Sequence, residues 1–570
     1  MCGHWTSGRR RCRVGNKWIA RATLIDHEPS NPIFSSARRR TRRAVKEPAE
    51  AAHRDVLRLM QAGDWRAADA ACRRITERYP SFAAGWYSAS RIGTALGSPA
   101  TALEAIDRAL SVEPANASYL VLRARCQLAL NHRRAALDTA DAAARCDSND
   151  PAVWDAIGTL RSYANDQQRA LLAYDRAVTL APQASHFIYN RAAVRRFLGD
   201  LDAAEADYDR VIALRPLDYE AYWNRSELRV QTASRNHVRE LQALAAGDIA
   251  NWLGEVQIRF ALAKEYEDLG EYAQSFEQLR IGCKMRRDHM KYDVGTDVAT
   301  VDWIMSAFPT GPTDSAPNAA AEAPIFILGL PRSGTTLVER ILSSHSLVSS
   351  AGELDCFASA IVDAVRERSG QAQLPRQKLV ALSAGIDFSA LGVDYMQRAR
   401  GTFDGDRRFI DKMPLNYLYC GLIRRALPNA KIIHVTRHPM AACYAMYKTL
   451  FKRGYPFSYD LGEIAQYYVA YRRLMQHWHA TMPGTIHDIR YEHLVADQRD
   501  ATRELLMFCG LDWEEACTAF HENPAAATTA SASQVRRPLY ESSVSQWRHY
   551  EAQLADLSSQ LRAAGISVAT

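Results

Sequence analysis

Residues 50–290 carry apolar positions at helical spacing, in a stretch that is rich in alanine and arginine and poor in glycine. Residues that end helices recur along this stretch with a stride of 34 residues: Pro80, Pro114, Ser148, Pro182 and Pro216. A fixed stride of this length predicts an array of helix pairs, in which each pair is built to one plan and buries its apolar face against the next.

Small side chains occupy two fixed positions in these units, where they let neighbouring helices approach closely. One position lies ten residues after each helix-ending residue: Ser90, Ala124, Gly158, Ala192 and Ser226. The other is always alanine: Ala68, Ala102, Ala136, Ala170 and Ala204. Large residues fill the space between pairs: Trp86, Leu120, Trp154, Ile188 and Tyr222.

This period resembles that of tetratricopeptide repeats, which stack into an α-helical solenoid with a concave groove for a peptide or protein segment. We therefore predict a solenoid over residues 49–308. A partner in the groove is one interpretation of it, and an array that only packs on its neighbouring domain is the other.

The pattern changes at "PTGPTDSAPNAAAEAP" (309–324), where proline, glycine and small residues predict a linker over residues 309–322. In the following stretch, "IFILGLPRSGTTLVERILSSH" (325–345), an apolar run precedes a glycine-bounded turn and then an amphipathic pattern. A strand, a loop and a helix in this order predict an α/β P-loop-like domain with a parallel sheet over residues 323–570.

Composition adds limits to this picture. A chain of 570 residues exceeds the usual size of one hydrophobic core, and no apolar run is long enough to span a bilayer. Residues 1–47 hold twelve of the basic residues and three acidic ones, so this segment carries +9 and the rest of the chain −2 of the total of +7. We predict a disordered basic arm over residues 1–48. The alternative, which we favour less, is that this arm binds nucleic acid or an acidic surface. The arm lacks the apolar segment of a secretory signal, which favours the cytoplasm.

The glycine-bounded loop has the chemistry of a phosphate site. Backbone N–H groups at the start of a helix bind anions, Arg332 adds a planar fork of donors, and Ser333, Thr335 and Thr336 add hydroxyls beside Gly334. Nucleotide-hydrolysing P-loops carry a lysine where this chain has Thr335, and that lysine reaches the γ-phosphate. Its replacement argues against a triphosphate substrate.

Five motifs resemble those of sulfotransferases and follow in the same order: "GLPRSGTTL" (329–337), "RRFIDKMPLN" (407–416), "KIIHVTRHP" (431–439), "IRYEHLV" (489–495) and "SVSQWRHYE" (543–551). The resemblance covers residues 323–553 and is greatest to bacterial sulfotransferases that contain tetratricopeptide repeats, with tyrosylprotein sulfotransferases as relatives. It implies 3′-phosphoadenosine 5′-phosphosulfate as the donor co-substrate and no metal. The donor binds through the loop residues Arg332, Ser333, Gly334, Thr335 and Thr336.

The resemblance also implies catalytic roles. Glu353 is the base that takes the acceptor proton, Lys412 neutralises the bridging oxygen of the leaving phosphate, and Ser545 hydrogen-bonds the sulfuryl group. Tyr491 lies near the adenosine. A surface serine and a core tyrosine are the structural alternatives for the last two residues.

Recognition of the 3′-phosphate is implied for Arg437, but the sequence departs from the family pattern here. The family has a serine eight positions later, where this chain has Ala445, and an acidic residue where it has His438. One donor to the phosphate is therefore lost, and Lys448 or Arg536 could replace it.

The predicted function is transfer of a sulfuryl group to an acceptor hydroxyl, for example that of a protein tyrosine, with the repeats recruiting the acceptor or a partner. Residues 521–540 are expected to form a mobile loop over the donor. The alternatives are a P-loop kinase, and a repeat scaffold with an inactive nucleotide-binding domain.

Overall fold

The computed structural model describes residues 38–311, 323–400, 407–452, 454–526, 529 and 534–569. Most of the predicted arm, most of the predicted linker and part of the predicted 521–540 loop lie outside these ranges. The chain forms two compact units, of which one ends at Arg195 and the other begins at Arg196.

Helices follow one another without a strand from residue 38 to residue 198. They are α1 (Arg38–Gln61), α2 (Trp65–Arg78), α3 (Ala83–Ala95), α4 (Pro99–Val112), α5 (Ala117–Ala129), α6 (Arg133–Arg145), α7 (Pro151–Tyr163), α8 (Gln167–Leu180) and α9 (Ser185–Leu198). Within the first unit, α3 packs on α4, α5 on α6, and α7 on α8. The predicted array of helix pairs is confirmed for these residues.

The predicted small positions are buried in every repeat, as the close approach of helices requires. At alternate large positions, where the residue is a tryptophan, the side chain donates a hydrogen bond to the turn before its helix. The indole nitrogen of Trp86 donates to the carbonyl of Pro80 at 2.9 Å, and that of Trp154 donates to the carbonyl of Ser148 at 2.7 Å. These two repeats thus tie their first helix to the turn before it, whereas Leu120 and Ile188 have no donor for such a bond.

The second unit begins with six further helices: α10 (Leu201–Leu214), α11 (Tyr219–Ser226), α12 (Val238–Ala246), α13 (Trp252–Asp268), α14 (Tyr272–Asp288) and α15 (Val294–Ala307). A sheet follows, with the strands β1 (Ile325–Gly329), β2 (Val348–Ser350), β3 (Arg408–Lys412), β4 (Lys431–Thr436) and β5 (Ile486–Arg490). All of its neighbouring strands are parallel, in the order β2-β3-β1-β4-β5, which confirms the predicted fold class.

Helices and short 3₁₀ turns cover the sheet. The helices are α16 (Thr335–Leu342), α17 (Cys356–Ser369), α18 (Arg376–Ser383), α19 (Phe388–Ala399), α20 (Cys420–Ala426), α21 (Pro439–Tyr447), α22 (Leu461–Thr481), α23 (Tyr491–Ala496), α24 (Gln498–Cys509), α25 (Ser542–Ser545) and α26 (Ala555–Ala563). The turns are Pro414–Tyr419, Pro456–Tyr459, Glu515–Cys517, Phe520–Glu522 and Gln546–Tyr550.

The central strand β1 is buried on both faces, as expected for a parallel sheet between helical layers. Ile325 and Ile327 belong to a core that includes residues of α16 and α24. Phe326 points to the opposite face, where its ring centroid lies 6.0 Å from that of Phe357 and 5.6 Å from that of Tyr395. This alternation follows from the period of two in a strand.

Helices of the repeat region pack directly on the sheet domain. Helix α15 lies against α18 and α22, and the Arg287 guanidinium on α14 donates two hydrogen bonds to the Glu463 carboxylate at 2.7 and 2.8 Å. On α13, the buried Glu267 carboxylate accepts from Lys448 Nζ at 2.6 Å and from Tyr444 Oη at 2.5 Å. Both anchors join residues about 180 positions apart in sequence.

No single helix in the described ranges combines the length and the hydropathy that crossing a bilayer requires; the bent pair of α18 and α19 meets both criteria only when its two helices are counted together.

Candidate active site

The predicted phosphate loop joins β1 to α16, and its backbone requires glycine at both ends. Gly329 and Gly334 have φ angles of 144° and 107°. A Cβ on Gly329 would lie 2.5 Å from the Val435 carbonyl oxygen, and one on Gly334 would lie 2.6 Å from the Tyr491 ring. The loop therefore lies tight against β4 and α23, with the N-terminus of α16 at its end.

The hydroxyl groups of the loop differ in how far they are buried. Ser333 and Thr335 are buried, and Thr336 is half-buried. The Ser333 hydroxyl is buried with no hydrogen-bond partner among the described residues. Because an unpaired buried hydroxyl is costly, this donor fits a ligand that brings its own acceptor oxygens.

Arg332 is the non-glycine residue of the loop with a left-handed backbone, at a φ of 67°. Its guanidinium donates to the Gln534 side-chain oxygen at 3.0 Å. Burial lowers the pKa of Arg332, and the Glu227 carboxylate just after α11 opposes this shift. The last repeats thus bring an acidic side chain into the electrostatic environment of the loop.

Lys412 ends β3, beside the loop, because Ile327 of β1 is its register partner. Its side chain is buried, and Nζ donates to Glu353 Oε1 at 2.5 Å and lies 3.8 Å from Glu339 Oε2. Burial alone lowers the pKa of this ammonium, but Glu353 and Glu339 together outweigh burial and raise it. The structure therefore holds the predicted base and the predicted lysine as one ion pair at the carboxyl edge of the sheet.

Sequence reasoning missed Glu339, the second carboxylate of this group. Its Oε1 accepts from the Ser350 hydroxyl at 2.5 Å, and burial raises its pKa against the effect of Lys412. Its position four residues after Thr335, on the same face of α16, is the signal that could have identified it.

Arg437 follows β4 and lies on the other side of the loop. One terminal nitrogen donates to the Arg332 carbonyl at 2.9 Å and the other to the Ser543 carbonyl at 2.5 Å. Its guanidinium lies over the Tyr491 ring, 4.8 Å from the centroid. Burial lowers the pKa of Arg437, and its Nε is buried without a partner among the described residues.

Ser545 is exposed at the last residue of α25, whereas Ser543 lies at the loop. The Ser543 hydroxyl is 2.7 Å from Tyr491 Oη, and its carbonyl accepts from Arg437. The structure therefore brings Tyr491 and Arg437 together with Ser543, and it does not bring Ser545 to them. The role of Ser545 stays a prediction.

The two cations suggested as substitutes for the lost serine are engaged elsewhere. Lys448 Nζ donates to Glu267 and, at 2.9 Å, to the Gln546 side-chain oxygen. Arg536 donates to the carbonyls of Phe197 at 2.8 Å and Ala525 at 3.2 Å. Ala445 is buried on α21, where its methyl group offers no hydrogen bond.

Among the described residues, His434 on β4, Asp488 on β5 and His479 on α22 form one of two groups of metal-ligand side chains. His434 Nδ1 lies 2.7 Å from Asp488 Oδ1, and His479 Nε2 lies 3.2 Å from Asp488 Oδ2. Two ligands of one tetrahedral zinc ion lie about 3.3 Å apart, given bonds of about 2.0–2.1 Å. The shorter distance is that of a hydrogen bond, and we assign no metal to this group.

Residues 324–515 match the model of the sulfotransferase family, and residues 185–216 match that of a tetratricopeptide repeat. The chain thus carries a sulfotransferase-family domain together with a tetratricopeptide repeat, as the sequence motifs predict.

An uncharacterized protein of Aquifex aeolicus (strain VF5) is 33% identical over 303 residues, which are 51% of this chain and 39% of that protein. A protein-tyrosine sulfotransferase of Drosophila melanogaster is 26% identical over 246 residues, which are 39% of this chain and 46% of that enzyme. The chain spans less than half of the length of each relative.

Among solved structures, the sulfotransferase domain from the curacin biosynthetic pathway is 18% identical, with 44% of this chain and 99% of that one covered. Its TM-score is 0.31, and a likeness at that level supports no conclusion about function.

Proposed function

We propose that the protein is a sulfotransferase that moves the sulfuryl group of 3′-phosphoadenosine 5′-phosphosulfate to an acceptor hydroxyl. The observation that carries the proposal is the ion pair of the buried Lys412 with the half-buried Glu353, beside a phosphate loop that lacks the usual lysine. A cation for the leaving phosphate and a carboxylate for the acceptor proton are the two groups that in-line transfer from such a donor requires.

The loop residues fit the anionic end of this donor. The N-terminus of α16, the unpaired Ser333 hydroxyl and the Arg332 guanidinium supply hydrogen-bond donors for the 5′-phosphosulfate. Arg437, with an unpaired buried Nε, would hold the 3′-phosphate. The bound donor supplies an activated sulfuryl group on a phosphate that leaves as an anion.

The chain's own residues then have separate tasks. Lys412 places its positive charge at the departing oxygen, and Glu353 takes the proton from the acceptor oxygen. In the structure the two groups bind each other, so each task requires the pair to open. A donor phosphate competes with Glu353 for the Lys412 ammonium, and its arrival frees the carboxylate to act as base.

We further propose a tyrosine hydroxyl of a protein or peptide as the acceptor, recruited by the repeats. The relative from Drosophila melanogaster is by name a protein-tyrosine sulfotransferase. The effect of Glu227 on the pKa of Arg332 supports a contribution of the last repeats to the surroundings of the loop.

The donor is tested by calorimetry with 3′-phosphoadenosine 5′-phosphate in the presence of a chelator. We expect the full chain to bind it without metal, and Arg437→Gln to weaken binding at least tenfold because a charge-assisted contact is lost. Arg280→Gln is the matched control, since Arg280 lies on α14 in an exposed pair with Glu277. Tight magnesium-dependent binding of ATP, with no binding of the bisphosphate, would favour the kinase alternative.

Chemistry is tested by transfer of labelled sulfate to tyrosine peptides and to substituted phenols. We expect Glu353→Gln to lower turnover by roughly 10²-fold while donor affinity changes little. Acidic phenols should partly rescue the variant, because they need less help from a base. Donor binding without transfer to any of these acceptors would favour the inactive scaffold.

A further inference from the structure

The lost family serine leaves a gap in the recognition of the 3′-phosphate. Ala445 presents only a methyl group, and the two cations suggested by the sequence already have partners. Lys448 is held by Glu267, and Arg536 is held by backbone carbonyls. Arg437 alone would then receive an oxyanion that ordinarily takes several hydrogen bonds.

Ser543 contacts the arginine that is proposed to hold the 3′-phosphate. Its backbone carbonyl accepts from Arg437 Nη2, which fixes it against the guanidinium. Its hydroxyl is 2.7 Å from Tyr491 Oη, and the Tyr491 ring lies between Arg437 and Gly334 of the phosphate loop. One serine thus contacts both residues that the family resemblance places at the 3′-phosphate and the adenosine.

The Ser543 hydroxyl can still donate a hydrogen bond to an anion. A serine hydroxyl has one donor and two acceptor sites, and a tyrosine hydroxyl can donate to it. With Tyr491 donating, the Ser543 proton points away from the ring and is available to a phosphate oxygen. Arg437 retains its unpaired Nε for the same group.

We infer that Ser543 is a donor-binding residue that supplies the hydroxyl missing at Ala445 and so helps to select a 3′-phosphorylated nucleotide. The inference rests on the proposed function, because it concerns the donor of that reaction. The ligand class is an adenosine 3′,5′-bisphosphate, as opposed to a nucleotide that carries only a 5′-phosphate.

The test compares two probes by calorimetry on the full chain: 3′-phosphoadenosine 5′-phosphate and adenosine 5′-monophosphate. Ser543→Ala should weaken binding of the bisphosphate about tenfold and leave the monophosphate unchanged. Ser542→Ala, at the exposed neighbouring position, is the control and should change neither affinity. Ser543→Thr retains a hydroxyl and should keep the preference.

A rescue variant makes the test specific. Ala445→Ser restores the family hydroxyl on α21, so it should recover bisphosphate affinity when added to Ser543→Ala and add less to the parent chain. The inference is overturned if Ser543→Ala leaves the bisphosphate affinity unchanged, or weakens both probes equally. If the parent chain does not prefer the bisphosphate at all, the proposed function fails together with the inference, and this result is distinct from the other two.

Discussion

The repeats and the edge of the sheet bury titratable groups in opposite ways. In the repeats, the Asp155 carboxylate is buried beside a neutral amide, accepts from Asn190 Nδ2 at 2.7 Å, and has its pKa raised to about 7 by burial. At the sheet edge, Lys412 is buried between the carboxylates of Glu339 and Glu353 and has its pKa raised by them. Burial favours the neutral form of Asp155 in the repeats, whereas the two carboxylates at the sheet edge favour the charged form of Lys412.

The largest effect is expected at Lys412. Lys412→Met leaves two carboxylates facing each other in a buried site, so the free energy of unfolding of its unit should fall by about 3–5 kcal/mol. Urea denaturation measures this change. Lys284→Met is the matched control, because Lys284 pairs with Asp288 on the exposed face of α14 and should contribute less than about 1 kcal/mol. If both variants lose a similar amount of unfolding free energy, the charge of Lys412 is not specially compensated at the sheet edge, and the contrast with the repeats fails.

Glu267→Gln tests whether helix α13 of the repeat region is energetically part of the sheet domain. An amide cannot replace the carboxylate that accepts from Lys448, Tyr444 and Tyr550, so we expect a loss of about 2–3 kcal/mol. Hydrogen exchange should accelerate in β4 as well as in α13. Glu277→Gln, in an exposed pair, should leave exchange in both elements unchanged. Acceleration confined to α13 would show that the two regions open independently.

The sequence predicted local and periodic features better than contacts between segments that are distant along the chain. The 34-residue period predicted the helix pairs, and one short motif predicted the strand, loop and helix of β1 and α16. The packing of α15 on α22 could not be predicted, because it joins segments about 170 residues apart whose faces match only in the folded chain.

The candidate site shows the same limit at the scale of single residues. Glu353 and Lys412 could be proposed from motifs, but their ion pair with Glu339 depends on which strands are neighbours. Ser543 and Ser545 stand in one motif two positions apart, and successive positions of a helical turn differ by about 100°. The direction in which each side chain points decides which serine contacts Tyr491, and a sequence motif does not specify that direction.

A pH dependence of stability is expected in the repeats, at Asp155. An aspartate in an unfolded chain has a pKa near 4, so between about pH 4 and pH 7 the folded protein binds a proton at Asp155 that the unfolded chain has lost. The stability that Asp155 contributes is fully present below pH 4 and is lost as the pH rises through 7. Asp155→Asn keeps an acceptor for Asn190 and cannot ionise. It should stabilise the first unit by about 2–3 kcal/mol more at pH 8 than at pH 5, as measured by urea denaturation.

Asp138→Asn is the control for this measurement, because Asp138 is exposed on α6. It should change stability by less than about 0.5 kcal/mol at either pH. Equal effects of Asp155→Asn at both pH values would mean that the buried carboxyl does not titrate with folding, and the contrast with Lys412 would then rest on geometry alone.

The smallest effect is expected at Gly158. Neighbouring repeats hold alanine at this position, but packing in this repeat leaves no room for a Cβ. Equivalent positions in the neighbouring repeats hold Ala124 and Ala192, and alanine in a helix is favoured over glycine by about 1 kcal/mol. In this repeat, however, a Cβ would lie 2.9 Å from the ring of Tyr174. That side chain is fully buried, and its hydroxyl forms a hydrogen bond with the Thr159 hydroxyl at 3.0 Å.

Overpacking of this kind costs about 1–3 kcal/mol, so Gly158→Ala should lower the free energy of unfolding by about 1 kcal/mol in spite of the better helix propensity. Ala192→Gly supplies the propensity term in a repeat without this clash, and it should also destabilise by about 1 kcal/mol. Both losses are measured as shifts of the urea midpoint. If Gly158→Ala instead raises the urea midpoint, the helix propensity of alanine outweighs the clash with Tyr174. The ring would then move aside at little cost.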